Sequence, residues 1–402
     1  MLILSILLGC LVLYRLQALL YRKYWSRGFA VSVRYGKHQV IEGEKVCVCI
    51  SVENRKWLPL PAILVSCALS EHLVRVEREN SGQHSRNISE LLSVLMNQRI
   101  TRSIDYLCQR RGVYRISEIS VQSKDLFYHE KQTEVLGCEE CLTVYPACVE
   151  MDSFIPLYQN LYGQILTQRL MQEDPFFHRG VREYQPFDQM RQIDWKATAK
   201  TGELKVYVPE RTAYRKVAVF LNLQSDNYFL NTPVLEESIR LAKTVCMCLN
   251  RDGLQCKIYT NGHDAETDEM VCVEHLPPDT DYMHLVNSHL ARIRIRSYPA
   301  GAGDESFERD RFVRCYEPRM LREAEDHFLV VISNYQHADF QEALENIKRR
   351  GGNLLWLVPV GNSQEYHPQE SLAGEARIWN LNYESRAVMR EPGMSGGAVK
   401  SE

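Results

Sequence analysis

Cys138-Glu-Glu-Cys141, with Cys148 close behind, is the first group of residues whose spacing could do chemistry, because a C-x2-C pair suits two ligands of a tetrahedral zinc ion. A structural zinc site needs two more ligands, and neither a second C-x2-C nor an H-x3-H follows; Cys246 and Cys248 stand one residue apart in a stretch of helical period. The chain has no nucleophile elbow, no P-loop and no H-E-x-x-H. Its twelve histidines are scattered, and His178 has no evident Cys or Ser partner. These residue types argue against an enzyme. What stands out instead is the stretch 179–207, RGVREYQPFDQMRQIDWKATAKTGELKVY, in which Arg182, Glu183, Tyr184, Asp188, Arg191, Asp194, Trp195 and Lys196 mix both charge signs with two large rings. Core packing does not require that density, so the stretch reads as a recognition or assembly element. A structural reading stands beside it, with Ile193 and Trp195 as core anchors and Arg182, Asp188, Arg191 and Asp194 in internal ion pairs. Both can hold, since buried charge pairs can fix the geometry of an exposed surface.

The elements that must position this stretch differ on its two sides. Before it, from Phe29 to about Tyr145, short runs alternate with period two, most clearly at Val46, Val48, Ile50 and Val52, and further strands are expected at Ala62 to Leu69, Arg99 to Leu107, Gly112 to Val121 and Cys141 to Tyr145. Many short strands with turn signals and little helical period predict a β-sandwich of immunoglobulin-like type over 28–145. After it, short apolar runs at Val217 to Leu223, Gln255 to Thr260, His327 to Ser333 and Asn353 to Val360 are separated by helical segments, such as Leu235 to Leu249. Alternating strands and helices predict a mainly parallel, doubly wound sheet over 146–385. Ligands of such sheets sit at the carboxyl ends of strands, which directs attention to Leu223 to Asp226 and Ser333 to Tyr335. Residues 386–402 lack periodicity and are expected to be a disordered tail.

Composition narrows the class of partner. The chain has 402 residues and a net charge of -3, with no dense Lys/Arg cluster outside 179–207, so nucleic acid is a poor expectation. Thirteen cysteines spread over that length, several within apolar strands, fit reduced thiols in a cytosolic body. The run Leu2 to Tyr14 is uncharged, and Leu16 to Tyr21 continues it past Arg15. A spanning helix needs roughly 20 apolar residues, reached here only if Arg15 snorkels. The basic, aromatic flank Arg22, Lys23, Tyr24, Trp25 and Arg27 then predicts a single-pass anchor over 1–27, with the body of the chain on the cytoplasmic side. A cleaved signal peptide fits less well, because the first residues carry no basic side chain and no small-x-small site precedes Arg22.

An anchor, a β-sandwich, the charged stretch and a doubly wound sheet in this order resemble the bacterial Domain of Unknown Function 58 family. QRRGVYRISEISVQSKDLF (Gln109 to Phe127) is similar to its Arg-Gly-x-Tyr strand leading to Asp-Pro-Phe-Gly, with Leu126 in place of the proline. Glu183, Tyr184, Asp188, Arg191, Ile193, Asp194 and Trp195 match its Glu-Tyr-x-x-Gly-Asp…Arg-x-Ile-x-Trp block, with Phe187 in place of the glycine. VAVFLNLQSD and VVISNYQHAD take the positions of a von Willebrand factor A-like fold. The family usually begins with a two-helix membrane hairpin, whereas one hydrophobic segment is visible here.

The resemblance implies a non-enzymatic, membrane-anchored adaptor or scaffold that presents a von Willebrand factor A-like domain to a MoxR-type AAA ATPase, with a transglutaminase-like membrane protein and envelope-assembly clients as further partners. It also implies a place for Mg²⁺, since such folds often hold the ion through Asp-x-Ser-x-Ser, a Thr and an Asp on three loops. Here those positions read Asn222, Gln224 and Asp226, then Thr280, then Asn334. Amide oxygens bind Mg²⁺ weakly, so polar loop ends bonded to one another account for these residues more simply. A metal-dependent binding protein or hydrolase is the alternative expectation, and an extracellular adhesin would require inverted topology.

Overall fold

The computed structural model describes residues 2–25, 27–76, 87–125, 131–171, 178–186, 188, 190, 193–209, 216–224, 232–274, 281–295, 312–361, 366 and 368–381. It is a mixed α/β chain with several sheets. Two compact units divide it, one taking residues up to Ala147 together with Leu290–Arg292, the other Cys148–His289 and Ile293–Leu381.

The first unit starts with helix α1 (Leu2–Tyr24), followed by strands β1 (Phe29–Tyr35), β2 (Gln39–Ile41), β3 (Lys45–Asn54), β4 (Leu60–Ala68), β5 (Leu73–Arg75), β6 (Asn87–Val94), β7 (Gln98–Cys108), β8 (Gly112–Lys124) and β9 (Lys131–Tyr145). A four-stranded sheet of order β1-β3-β7-β5 and a five-stranded sheet of order β2-β9-β8-β4-β6 share one apolar core. The alternation of β3 sends Val46, Val48, Ile50 and Val52 into that core, where they meet Ile63, Val65, Ile119 and Val121 of the other sheet. Of the cysteines considered as zinc ligands, Cys138 points its sulfur at the Val33 carbonyl, 3.7 Å away. In the second unit Cys148 points at the sulfur of Met247, also 3.7 Å away. Among the described residues no group of three or more His, Cys, Asp or Glu side chains could hold a metal ion.

The N-terminal segment is a helix, but the expectation that it spans a bilayer finds no support here. Among the described residues no helix is long and apolar enough to cross a membrane. The end of α1 packs on the sandwich: Tyr21 and, just after the helix, Trp25 are buried in its core, and the Tyr21 hydroxyl bonds to Ser123. The preceding turns leave Leu7, Leu8, Leu11, Val12, Leu13, Leu16 and Leu19 exposed.

The second unit contains α2 (Met151–Met171), β10 (His178–Glu183), α3 (Trp195–Thr201), β11 (Lys205–Pro209), β12 (Lys216–Leu221), α4 (Thr232–Arg251), β13 (Gln255–Asp264), β14 (Met270–Val273), α5 (Tyr282–Arg292), β15 (Ile293–Arg294), α6 (Phe312–Asp326), β16 (Phe328–Ile332), α7 (Ala338–Arg349), β17 (Leu354–Val360) and β18 (Ala376–Asn380). Its seven-stranded sheet runs β14-β13-β12-β16-β17-β18, with β15 beside β13. Strands β13, β12, β16, β17 and β18 are mutually parallel. β12, β16 and β17 are apolar on both faces because both faces are covered. Phe312, Tyr316 and Met320 of α6 and Phe340, Leu344 and Ile347 of α7 pack with Ala218, Phe220, Leu329 and Trp356 on one face. The amphipathic α4 buries Leu235, Ile239, Ala242, Val245 and Leu249, the positions its 3.6-residue period marks, as it packs on the same strands. The tail 386–402 lies outside the described residues.

Candidate functional site

The charged stretch is built on a two-stranded antiparallel ribbon. Gly180, Val181, Arg182 and Glu183 of β10 face Val208, Tyr207, Val206 and Lys205 of β11, and the Tyr184 amide extends the ladder to the Leu204 carbonyl at 2.9 Å. Val206 is fully buried and bridges to Ile193, which is buried as well. These two residues form the apolar pin under an otherwise polar surface.

Asp194 starts α3. Its Oδ1 accepts the Lys196 and Ala197 amides, each at 3.0 Å, as an N-cap should. Those amide bonds, with a hydrogen bond from Tyr207, hold its carboxyl below the ordinary Asp value despite the opposing effect of desolvation, and the same contact pushes the Tyr207 hydroxyl up. Gly202 ends the helix in the left-handed region, φ 78°, where a side chain would be strained. The turn is tied back to the ribbon by the Lys205 amide, which donates to Thr198 Oγ1 at 3.0 Å, and by the Asp194 amide, which donates to the Lys205 carbonyl at 2.8 Å.

Arg182 and Asp188 form a bidentate pair, with Nη1 donating to Oδ2 at 2.7 Å and Nη2 to Oδ1 at 2.6 Å. The Gln185 amide also donates to Asp188 Oδ2, at 2.8 Å. The Arg182 bonds hold the Asp188 carboxyl below its ordinary range. The Asp188 side chain is 6% exposed, so this pair closes the turn over the ribbon end rather than floating in solvent. Lys205 sits between Glu183 and Glu203 at 3.4 and 3.5 Å, looser contacts with exposed carboxylates.

The structure thus brings together Arg182 with Asp188, Glu183 with Lys205, and Asp194 with the start of α3. Tyr184 is half-buried, Lys196 is exposed, and Arg191 lies outside the described residues. Trp195 departs from its reading as a core anchor. It is the first residue of α3 and is 65% exposed. The reason is local: the cap holds Asp194 inward, so the next side chain turns outward while Ile193 fills the core. Met190, 68% exposed, adds a second apolar side chain to this surface.

The carboxyl edge of the parallel sheet carries neutral polar groups. Asn222, fully buried, donates through Nδ2 to Ser333 Oγ at 3.0 Å, and its Oδ1 accepts the Gln224 amide at 2.9 Å and Asn261 Nδ2 at 3.3 Å. Gln224 Oε1 accepts the Phe312 amide at 3.3 Å. Ser333 is itself fixed by the Tyr335 amide and, through its carbonyl, by the Trp356 indole. Asn334 is buried next to this network with neither side-chain polar atom bonded among the described residues, and Gln224 Nε2 is likewise unused there. Asp226 and Thr280 lie outside the described residues.

Ser333 belongs to the stretch that the sequence marked for search, whereas sequence reasoning missed Asn261, which lies within β13 and joins the same edge network. It also missed a charged cluster at the far end of the sheet. There Glu323 of α6 accepts the Tyr259 hydroxyl at 2.9 Å and Lys257 Nζ at 3.3 Å. Burial opposes its ionisation, yet the Tyr259 bond and the His327 and Lys257 charges hold it below the ordinary Glu value. His327 Nδ1 lies 3.1 Å from Glu323 Oε2, out of line for a hydrogen bond, and burial pushes its pKa down. His327, Arg350, Gly352 and Ile165 line a cavity of about 320 Å³ beside it. Partners more than sixty positions apart leave no local signal.

Comparison with known proteins gives limited similarities. The solved seventh ScaB type I cohesin from Pseudobacteroides cellulosolvens matches at 16% identity over 30% of this chain and 96% of that one, and its TM-score of 0.20 carries no argument about fold. The uncharacterized protein YeaD of Bacillus subtilis (strain 168) is 22% identical over 191 residues, 47% of each chain, so the match spans about half the length of that relative. The family model described as Protein of unknown function DUF58 matches residues 180–355, and this part of the chain, from the ribbon strand carrying Arg182 into β17, is therefore similar to that family.

Proposed function

We propose that the chain is a non-enzymatic adaptor or scaffold, held at a membrane by α1 with its body on the cytoplasmic side, that presents its second unit to a MoxR-type AAA ATPase. In this reading the first unit is an immunoglobulin-like sandwich and the second a von Willebrand factor A-like domain, and envelope-assembly proteins or a transglutaminase-like membrane protein are the clients. The observation that carries it is the exposed Trp195, set on a seven-residue helix that is tied to the ribbon strand β11 at Asp194 and Thr198, on the ribbon whose other strand carries Arg182 and its bond to Asp188. An exposed indole on a rigid, charge-rimmed surface has the character of a protein-binding hot spot. The similarity to the family over 180–355 covers this surface, and the unpartnered apolar turns of α1 support attachment to a membrane. Pull-down of the full chain from native membranes tests it: the ATPase is recovered with the wild type and lost with Trp195→Ala and with Asp188→Ala. Recovery unchanged by both substitutions removes this surface from the interaction.

A second reading, a Mg²⁺-dependent binding protein or hydrolase using the carboxyl edge, draws on one observation. Asn334 is buried with unused hydrogen-bonding capacity beside Asn222 and Gln224, which is costly unless something occupies it. Titration of Mg²⁺ and Mn²⁺ into the purified chain decides it: heat that is lost in Asn334→Leu supports the metal, and no heat in the wild type removes it.

A further inference from the structure

Three exposed apolar side chains gather at one end of the first unit. Trp57, 66% exposed, lies between β3 and β4, while Leu95 and Met96, 60% and 58% exposed, lie on the turn between β6 and β7. The two loops are joined. Asn54 Nδ2 donates to the carbonyls of Leu58 and Leu95 at 2.9 Å each, and the Asn97 amide donates to the Lys56 carbonyl at 3.3 Å. The core needs none of the three, because Leu58, Leu60 and Val94 already fill it at this end.

The same end receives α1. The Trp25 ring stacks on Phe29 with centroids 5.7 Å apart, the Lys56 ammonium donates to the Trp25 carbonyl, and the Arg55 amide donates to the Gly28 carbonyl at 2.8 Å. Basic residues surround these contacts. Arg22, Lys23, Arg27 and Arg55 are exposed, and the paired strand ends Lys124 and Lys131 add two more. Among the described residues, Glu53 offsets Arg55 at 2.7 Å. An apolar helix, an exposed indole and a set of cations thus meet on one surface.

We propose that this end of the first unit is a membrane-docking face, where Trp57, Leu95 and Met96 enter the headgroup region of an anionic bilayer that α1 also enters. The proposal rests on the membrane reading of α1 and adds a second contact to it. Indole rings favour the interface between acyl chains and water, and basic side chains are drawn to anionic headgroups over about a Debye length. A second copy of this chain fits the face less well, because a twofold contact would set the same cations against each other. With one helix as its only tether the sandwich could swivel. A second contact through the loops fixes its tilt.

The test uses the full chain, reconstituted in phosphatidylcholine vesicles with or without phosphatidylglycerol, some acyl chains being brominated near the headgroup. Flotation reads attachment. The fluorescence difference between wild type and Trp57→Phe isolates Trp57, and the expected result is strong quenching of that component by the brominated lipid, deeper with phosphatidylglycerol. Leu95→Ser with Met96→Ser should weaken the quenching severalfold and leave flotation unchanged. If the chain floats but Trp57 is unquenched and open to aqueous acrylamide, the docking face is wrong while the membrane reading stands. If the chain does not float, both fall. A concentration-dependent dimer in detergent that Trp57→Ser abolishes would assign the face to a second copy and overturn the proposal.

Discussion

The guanidinium of Arg182 closes on the carboxylate of Asp188 through two hydrogen bonds, of 2.6 and 2.7 Å, across six positions of chain. Arg182 stands in β10 and Asp188 in the turn that leads out of it, so the pair fixes that turn, which runs on to Met190 and Trp195, against the strand. Planar, bidentate geometry makes this contact specific as well as attractive, and a lysine cannot reproduce it.

Arg182→Lys should therefore behave like Asp188→Ala in partner capture, despite keeping the charge. The melting temperature should move by no more than about 2–4 °C, since the pair spans a partly solvated turn. Pull-down and thermal unfolding on the same preparations check this. A Lys variant that captures partner normally would show that charge alone is needed.

Trp195 and Ile193, two residues apart, should separate binding from stability. Trp195→Ala removes an exposed side chain and should change unfolding free energy by less than about 0.5 kcal/mol while abolishing capture. Ile193→Ala removes the pin against Val206 and should cost about 2–5 kcal/mol, read locally as faster hydrogen exchange in β10 and β11.

Asn222→Ala should destabilise the second unit by about 1–3 kcal/mol, because Ser333, Asn261 and the Gln224 amide lose a buried partner together. Denaturant unfolding monitored at Trp356, whose indole bonds to the Ser333 carbonyl, reports it. An unchanged midpoint would show that the network contributes nothing to the fold.

Tyr158 of α2 donates to Asp252 Oδ2 at 2.6 Å, and this bond holds the Asp252 carboxyl below its ordinary value of 3.8. A depressed carboxyl stabilises the fold above the unfolded value and loses that contribution as pH falls through the folded one. Tyr158→Phe should thus be less stable than wild type at neutral pH, and the gap should begin to close below pH 3.8. Urea midpoints at neutral pH and at about pH 3 measure both ends; a gap that does not narrow in acid would assign the loss to packing.

Periodicity made the regular elements legible. The alternation at Val46, Val48, Ile50 and Val52 and the helical spacing from Leu235 to Leu249 each name a buried face without reference to anything distant. Elements whose signal is short or mixed stayed hidden: β5, of three residues, the edge strand β18, and α2, whose apolar residues are interspersed with polar ones and Pro156.

The sequence by itself determined that 179–207 holds charge and aromatic rings beyond what a core uses, and that Asn222, Gln224 and Asn334, at the ends of two apolar runs, carry amides and no carboxylate. Those are statements of residue type and spacing. Only the tertiary structure decided that Ile193 is the buried anchor and Trp195 the exposed one, that Asp188 pairs with Arg182 while Asp194 caps a helix, and that Asn222 reaches Ser333 across 111 positions. Each depends on which side of a turn a side chain leaves and which strand lies beside it, and those are set by long-range packing that local spacing does not encode.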